Sequence, residues 1–272
     1  MHFMEICWLT DIHLNFIDFN TRIAFYEKIL KTQCQAVIIA GDIAEAPTVC
    51  EQLVEIVEYI DQPIYFVLGN HDYYRGSIAA LREQVRIFTQ KYHLLRWLTD
   101  EDPAMLTETT ALTGCDGWAD GRYGDFEHSR VELNDSYYIA ELYQAAVLGR
   151  QCLLKEMQKF AGVDADILSG QLHKAVSKQC KHIIIVTHIP PFEAACTYGD
   201  QVSSPDWMPL FSSKVLGDVI MGYAKQYPDI NFLVLCGHTH SIGEYTPLDN
   251  LCVKTGGARY YYPEIQDVFV VE

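Results

Sequence analysis

Five short apolar runs, Ile6 to Leu9, Ala36 to Ala40, Ile64 to Leu68, Ile183 to Val186 and Phe232 to Leu235, each lead straight into a polar motif. The motifs are Asp11-Ile12-His13, Gly41-Asp42, Gly69-Asn70-His71-Asp72, Thr187-His188 and Gly237-His238-Thr239-His240. Runs this short, continuous and rich in Val and Ile read as strands buried on both faces. The C-terminal ends of such strands open on one crevice, so motifs far apart along the chain become neighbours in space.

Helical patterns alternate with these strands. Asp18 to Lys31 carries apolar residues at Ile23, Phe25, Tyr26, Ile29 and Leu30, and Pro47 to Tyr59 opens with proline and repeats Leu53, Ile56 and Val57. Both spacings predict amphipathic helices, as does Ser77 to Tyr92. Successive β-α-β units fold by the right-handed crossover rule into layered sheets flanked by helices, an α/β chain. The length of 272 residues suits one large domain, 1–272. The stretch from about 114 to 181 interrupts the alternation as an insert. Its first part, 114–136, is dense in Gly, Asp, Tyr and Arg and reads as loop; its second, 138–181, reads as helix with a break near Gly162. The expectation is a cap over the site, with a structural flank as the alternative.

The motifs mix carboxylate and amide oxygens with imidazole nitrogens, a donor set that suits Mn, Fe, Zn or Co. Asp11 and His13 are two residues apart, as are His238 and His240, so persisting strand geometry would put each pair on one side. Any one motif is a weak signal. Together they supply enough ligands for two metal ions, and a two-metal hydrolase is the reading they support.

Composition narrows the partners. The formal net charge is −16, and the 20 Lys and Arg are scattered, leaving no basic track for an extended nucleic acid. A metal pair would still attract a small anion at contact distance. No stretch is apolar enough for a membrane span. Nine widely spaced cysteines without a CxxC pair read as reduced thiols, and a cytoplasmic protein follows as the expectation. Cys7 and Cys236 lie beside motifs, where packing is favoured over a metal or catalytic role. Oligomeric state is not legible.

In order, spacing and strand placement the motifs resemble those of the calcineurin-like metallophosphoesterases across the core of the chain. The resemblance implies a four-layer αββα fold, a two-sheet β-sandwich flanked by helices. It also implies one metal held by Asp11, His13, Asp42 and His240 and another by Asp42, Asn70, His188 and His238, with Asp42 bridging. His71 then matches the family's catalytic histidine, and Asp72 the acidic position after it. The implied reaction is attack on a phosphomonoester or phosphodiester by hydroxide held between the metals, with His71 assisting. A non-catalytic metal-binding scaffold of the same fold and a two-metal hydrolase of another bond are the alternatives.

Weaker candidates for contact with a small phosphorylated substrate, a nucleotide among the options, are Trp118 and Arg122 in the insert, Tyr198 after the His188 motif, and Arg259 and Tyr260 after the last ligands. All sit on expected loops near the crevice, where Arg suits phosphate and aromatics suit rings. His2, His93, His128, His173 and His182 match no motif.

Overall fold

The computed structural model describes residues 3–199 and 201–272. The early strands are β1 (Met4–Leu9), β2 (Ala36–Ala40), β3 (Ile64–Val67), β4 (Leu95–Trp97), β5 (Ala104–Met105) and β6 (Thr110–Gly114). The later ones are β7 (His182–Val186), the small hairpin β8 (Thr197–Tyr198) and β9 (Gln201–Val202), then β10 (Asn231–Cys236), β11 (Gly243–Leu248), β12 (Leu251–Thr255) and β13 (Asp267–Val271). One sheet has the order β13-β1-β2-β3-β4 and a second the order β11-β12-β10-β7-β6-β5. β1 to β4 run parallel, as do β6, β7, β10 and β12, while β13 closes the first sheet antiparallel on β1.

Alternation within the apolar runs builds the layers. Ile6 and Trp8 of β1 face a core between the two sheets, together with Ile38 of β2, Ile184 and Val186 of β7 and Leu235 of β10. Cys7 and Leu9 face the opposite way, onto helices α1 (Phe19–Lys31), α2 (Val49–Ile60) and α3 (Ile78–Thr89). Ile183 and Ile185 likewise face the outer helices of the second sheet. A strand that is apolar on both faces is therefore covered on both faces, which gives the four layers.

The stretch 114–181 divides in two. Residues 115–134 are irregular, followed by α4 (Asp135–Tyr138), α5 (Ala140–Val147) and α6 (Arg150–Ser177). Contrary to the expected break, α6 runs unbroken through Gly162, where a Cβ would meet nothing within 4 Å. A solvent-facing glycine costs only about 1 kcal/mol of helix propensity, too little to end a helix anchored at both ends. That anchoring explains its length: Met157 and Ala161 pack into the first sheet's outer core, whereas Leu168, Leu172 and Ala175 pack into the second's, beside α8 (Lys214–Gln226), the helix that follows the single turn α7 (Met208–Phe211). Among the described residues no helix is long and apolar enough to cross a membrane. All nine cysteines are free, and Cys7 and Cys236 are wholly buried.

A buried ionic network ties the layers together. Arg82 of α3 pairs with Asp164 of α6 at 2.8 Å and with Asp116 at 3.0 Å. Asp116 also accepts from Leu68 N, Trp97 Nε1, Thr99 Oγ1 and Tyr73 Oη, so β3 and the segment after β6 share one carboxylate. Arg82→Ala leaves two fully buried carboxylates without their cation. The expected loss is about 3–5 kcal/mol of stability in urea titration, and a loss below about 1 kcal/mol, the size of a surface ion pair, would contradict the role.

Candidate metal centre

The motif loops reach the crevice by an unusual backbone route. Asp11, His13, Asp42, His238 and His240 all have positive φ, between 43° and 71°. The strands end before these residues, so Asp11 with His13 and His238 with His240 do not converge by strand alternation, as the spacing suggested. Each instead occupies the left-handed region, which L-residues enter at a cost and which persists where the surroundings impose it. Two glycines make room. A Cβ on Gly69 would lie 2.2 Å from Asp42 Oδ1, and one on Gly237 would lie 2.0 Å from Asp11 Oδ2.

The resulting cluster has two halves. In the first, one ligand atom from each of Asp11, His13, Asp42 and His240 lies within 4.8 Å of all the others. His13 Nε2 and His240 Nε2 are 3.2 Å apart, and His240 Nε2 is 3.4 Å from Asp11 Oδ1. In the second half, Asn70 Oδ1 lies 2.9 Å from His188 Nε2 and 3.0 Å from His238 Nδ1. Asp42 faces both halves: Oδ2 is 3.7 Å from His13 Nε2, and Oδ1 is 3.3 Å from His188 Nε2.

The second half tests whether these residues fit a cation. His188 Nδ1 lies 2.9 Å from the Ala40 carbonyl, and His238 Nε2 lies 3.1 Å from the Leu210 carbonyl. A carbonyl only accepts, so each of those nitrogens carries the ring proton, and the opposite nitrogen presents a lone pair. Asn70 Nδ2 donates to Asp135 Oδ1 at 2.8 Å, which turns Oδ1 toward the histidines. Three lone-pair donors therefore meet at about hydrogen-bond distance with no proton among them. Such an arrangement is repulsive unless a cation sits between the atoms, and the mixed N and O set suits a transition metal.

Electrostatics agree. Burial, then the neighbouring Asp11, pushes the Asp42 carboxyl well above the usual carboxylate range. Burial pushes on Asp11 as well, but His240, His188 and His13 hold it low. Burial pushes the His13 and His188 imidazoles below their usual range, toward the neutral form that binds metal.

His71 projects beside the cluster. Its ring stacks on Tyr74 at 4.2 Å, Nε2 lies 3.5 Å from Tyr260 Oη, and Nδ1 is buried without a hydrogen-bond partner. Burial pushes its pKa down to about 3. Asp72, expected to act beside His71, accepts through its carboxylate from Ile43 N, Ala44 N and Gly69 N, locking the second motif loop to the third. It is fully buried and supports the site instead of lining it.

A cavity of about 530 Å³ lies over the cluster, and His71, Asp42, Asn70, His238 and His240 line it. Tyr74, Tyr198, Trp207, Phe211 and Tyr260 form aromatic walls, so the structure brings Tyr198 and Tyr260 to the site. Trp118 stands apart, in a core between Tyr73 and Phe160. Arg122 pairs with Asp120, and Arg259 with Glu264, and neither lines this cavity. The unmatched His128 pairs with Asp125 on the surface, and His2 lies outside the described residues. Phe211 and Asp135 escape sequence reasoning because no local pattern links them to the motifs, whereas Tyr74 stands two residues after the third motif and Trp207 ends the loop stretch that begins at Tyr198.

Residues 4–241 match the family described as calcineurin-like phosphoesterase. The chain belongs to the calcineurin-like phosphoesterase family. Solved structures with the same fold include a dimetal phosphatase from Danio rerio, 13% identical, with TM-score 0.60, covering 93% of this chain and 87% of that one. A phosphopantetheinyl hydrolase from Mycobacterium tuberculosis is 12% identical, with TM-score 0.58 and 93% and 89% covered. The protein TT1561 of Thermus thermophilus is 11% identical, with TM-score 0.54 and 94% and 90% covered. No curated protein matches the chain. Metallophosphoesterases use a dimetal centre, and this member carries the Asp and His cluster that suits one.

Relief of the lone-pair crowding predicts that metal-stripped protein gains thermal stability when Mn or Zn is added. Each bound ion at about 100 times its dissociation constant adds about 2.7 kcal/mol. A melting temperature indifferent to metal would contradict the fit.

Proposed function

We propose that the protein hydrolyses a small phosphomonoester or phosphodiester, using two metal ions drawn from Mn, Fe, Zn or Co. Asp11, His13 and His240 hold one, Asn70, His188 and His238 hold the other, and Asp42 is shared. The observation that carries this reading is Asp42 itself, with one oxygen toward each half of the cluster. When bound, such a pair polarises the phosphoryl oxygens and lowers the pKa of the attacking water.

The chain's own side chains supply the rest. With its pKa held down to about 3, His71 works as a neutral N–H donor to charge developing on the ester oxygens, in preference to an imidazolium acid. Tyr260 Oη lies 3.5 Å from His71 Nε2, on the cavity side of the ring. Among the described residues no Lys or Arg lines the cavity. A second phosphate would find no cationic partner, so the reading favours a substrate with a single phosphoryl group. The aromatic walls suit an uncharged ring on that substrate, as in a nucleoside monophosphate.

Hydrolysis of a chromogenic phosphomonoester and the matching diester by metal-stripped protein resupplied with Mn, Zn, Fe or Mg tests the reading. His71→Ala should lower kcat by about 10²–10³ while leaving metal content unchanged. Asp42→Ala should lose both metal and turnover. Full metal loading without turnover on either ester would point to the scaffold or to another scissile bond.

A further inference from the structure

The two halves of the cluster are unequal in charge. The first has Asp11 to itself, whereas the second has only the neutral Asn70, His188 and His238 beside the shared Asp42. Directly behind Asn70 stands a carboxylate that belongs to no motif. Asp135, the first residue of α4, accepts from Asn70 Nδ2 at 2.8 Å and from Tyr74 Oη at 2.7 Å on the same oxygen, Oδ1. Tyr74 Oη in turn lies 3.3 Å from Asn70 Nδ2, closing a triangle.

Asp135 is firmly placed. Arg75 N donates to the Tyr138 carbonyl and Ala140 N to the Gly76 carbonyl, so the chain after Asp135 is hydrogen-bonded to the segment that follows the third motif. Glu141 adds a second tie, accepting from Ser77 Oγ and from the backbone N of Ile78 and Ala79 at the start of α3. The stretch from 135 to 141 is thereby registered against the loop that bears Asn70 and His71.

Resting on the two-metal reading above, we propose that Asp135 is a positioning residue for the second metal ion, fixing the Asn70 amide so that Oδ1 faces the ion and supplying the anionic charge that half of the cluster lacks. An amide left free to rotate would present NH₂ and Oδ1 interchangeably. A carboxylate hydrogen-bonded to the NH₂ group removes the wrong orientation and makes Oδ1 a better donor. Outer partners of metal ligands typically account for about 10- to 100-fold in affinity.

The test is titration of Mn²⁺ into metal-stripped wild-type protein, Asp135→Asn and Tyr74→Phe, read by calorimetry. Wild type should take two ions per chain. Asp135→Asn should keep the first site and weaken the second about 10- to 100-fold, with a smaller loss of the same kind in Tyr74→Phe. An unaltered second site, or equal weakening of both, overturns the inference and leaves Asp135 as a fastener of the insert. Should Asp135→Asn fail to fold, Tyr74→Phe carries the same two outcomes. A wild-type chain that takes fewer than two ions overturns the two-metal reading itself, and this inference with it.

Discussion

Everything in this molecule is arranged around the crowding of electron-rich atoms in one buried place. Asp11 and Asp42 are both almost fully removed from water, ring nitrogens of His13 and His240 meet beside them, and lone pairs of His188, His238 and Asn70 converge in the second half of the cluster. Burying two carboxylates side by side is costly without counter-charge, and no Lys or Arg among the described residues lines the cavity above. The cluster makes physical sense as a cation site and is otherwise a concentration of repulsion. Left-handed backbone at five of the seven proposed ligand residues adds to what the fold must hold in place.

What holds it is the pair of sheets and a set of buried carboxylates that never face the cavity. The apolar interior between the sheets fixes the strand ends. Asp72 then joins the second and third motif loops, and Asp116 joins β3 to the segment after β6 while sharing Arg82 with Asp164 of the long helix. Acidic residues thus do two kinds of work. Asp72 and Asp116 fasten loops through backbone N–H groups and, for Asp116, through Arg82, whereas Asp11 and Asp42 accept from the backbone N–H of His238 and His71 and also face imidazole nitrogens, the arrangement that suits a metal.

Much of this was legible in the sequence. The five apolar runs became strands because alternate residues feed two different cores, a property written in their composition. The ligand types stood at strand ends, where a crevice was expected, and the cluster gathers Asp11, His13, Asp42 and His240 around one point. Other features were not legible, for physical reasons. Strand alternation gave the wrong route to pairing Asp11 with His13, because left-handed turns depend on tertiary support. α6 passes Gly162 because two separate cores anchor it. The backbone N–H groups that surround Asp72 are set by two separate loops and cannot be read from its position after His71. Asp135 stands 65 residues along the chain from Asn70, and only the folded chain joins the two. Phe211 reaches the cavity in the same way, from a segment with no motif of its own.

The most direct test of the central claim is an anomalous-scattering map of crystals soaked in Mn²⁺. The account predicts two peaks about 3.5–4 Å apart, with a carboxylate oxygen of Asp42 on each and Asn70 Oδ1 on the second. A single peak, or two ions that do not share Asp42, would contradict it.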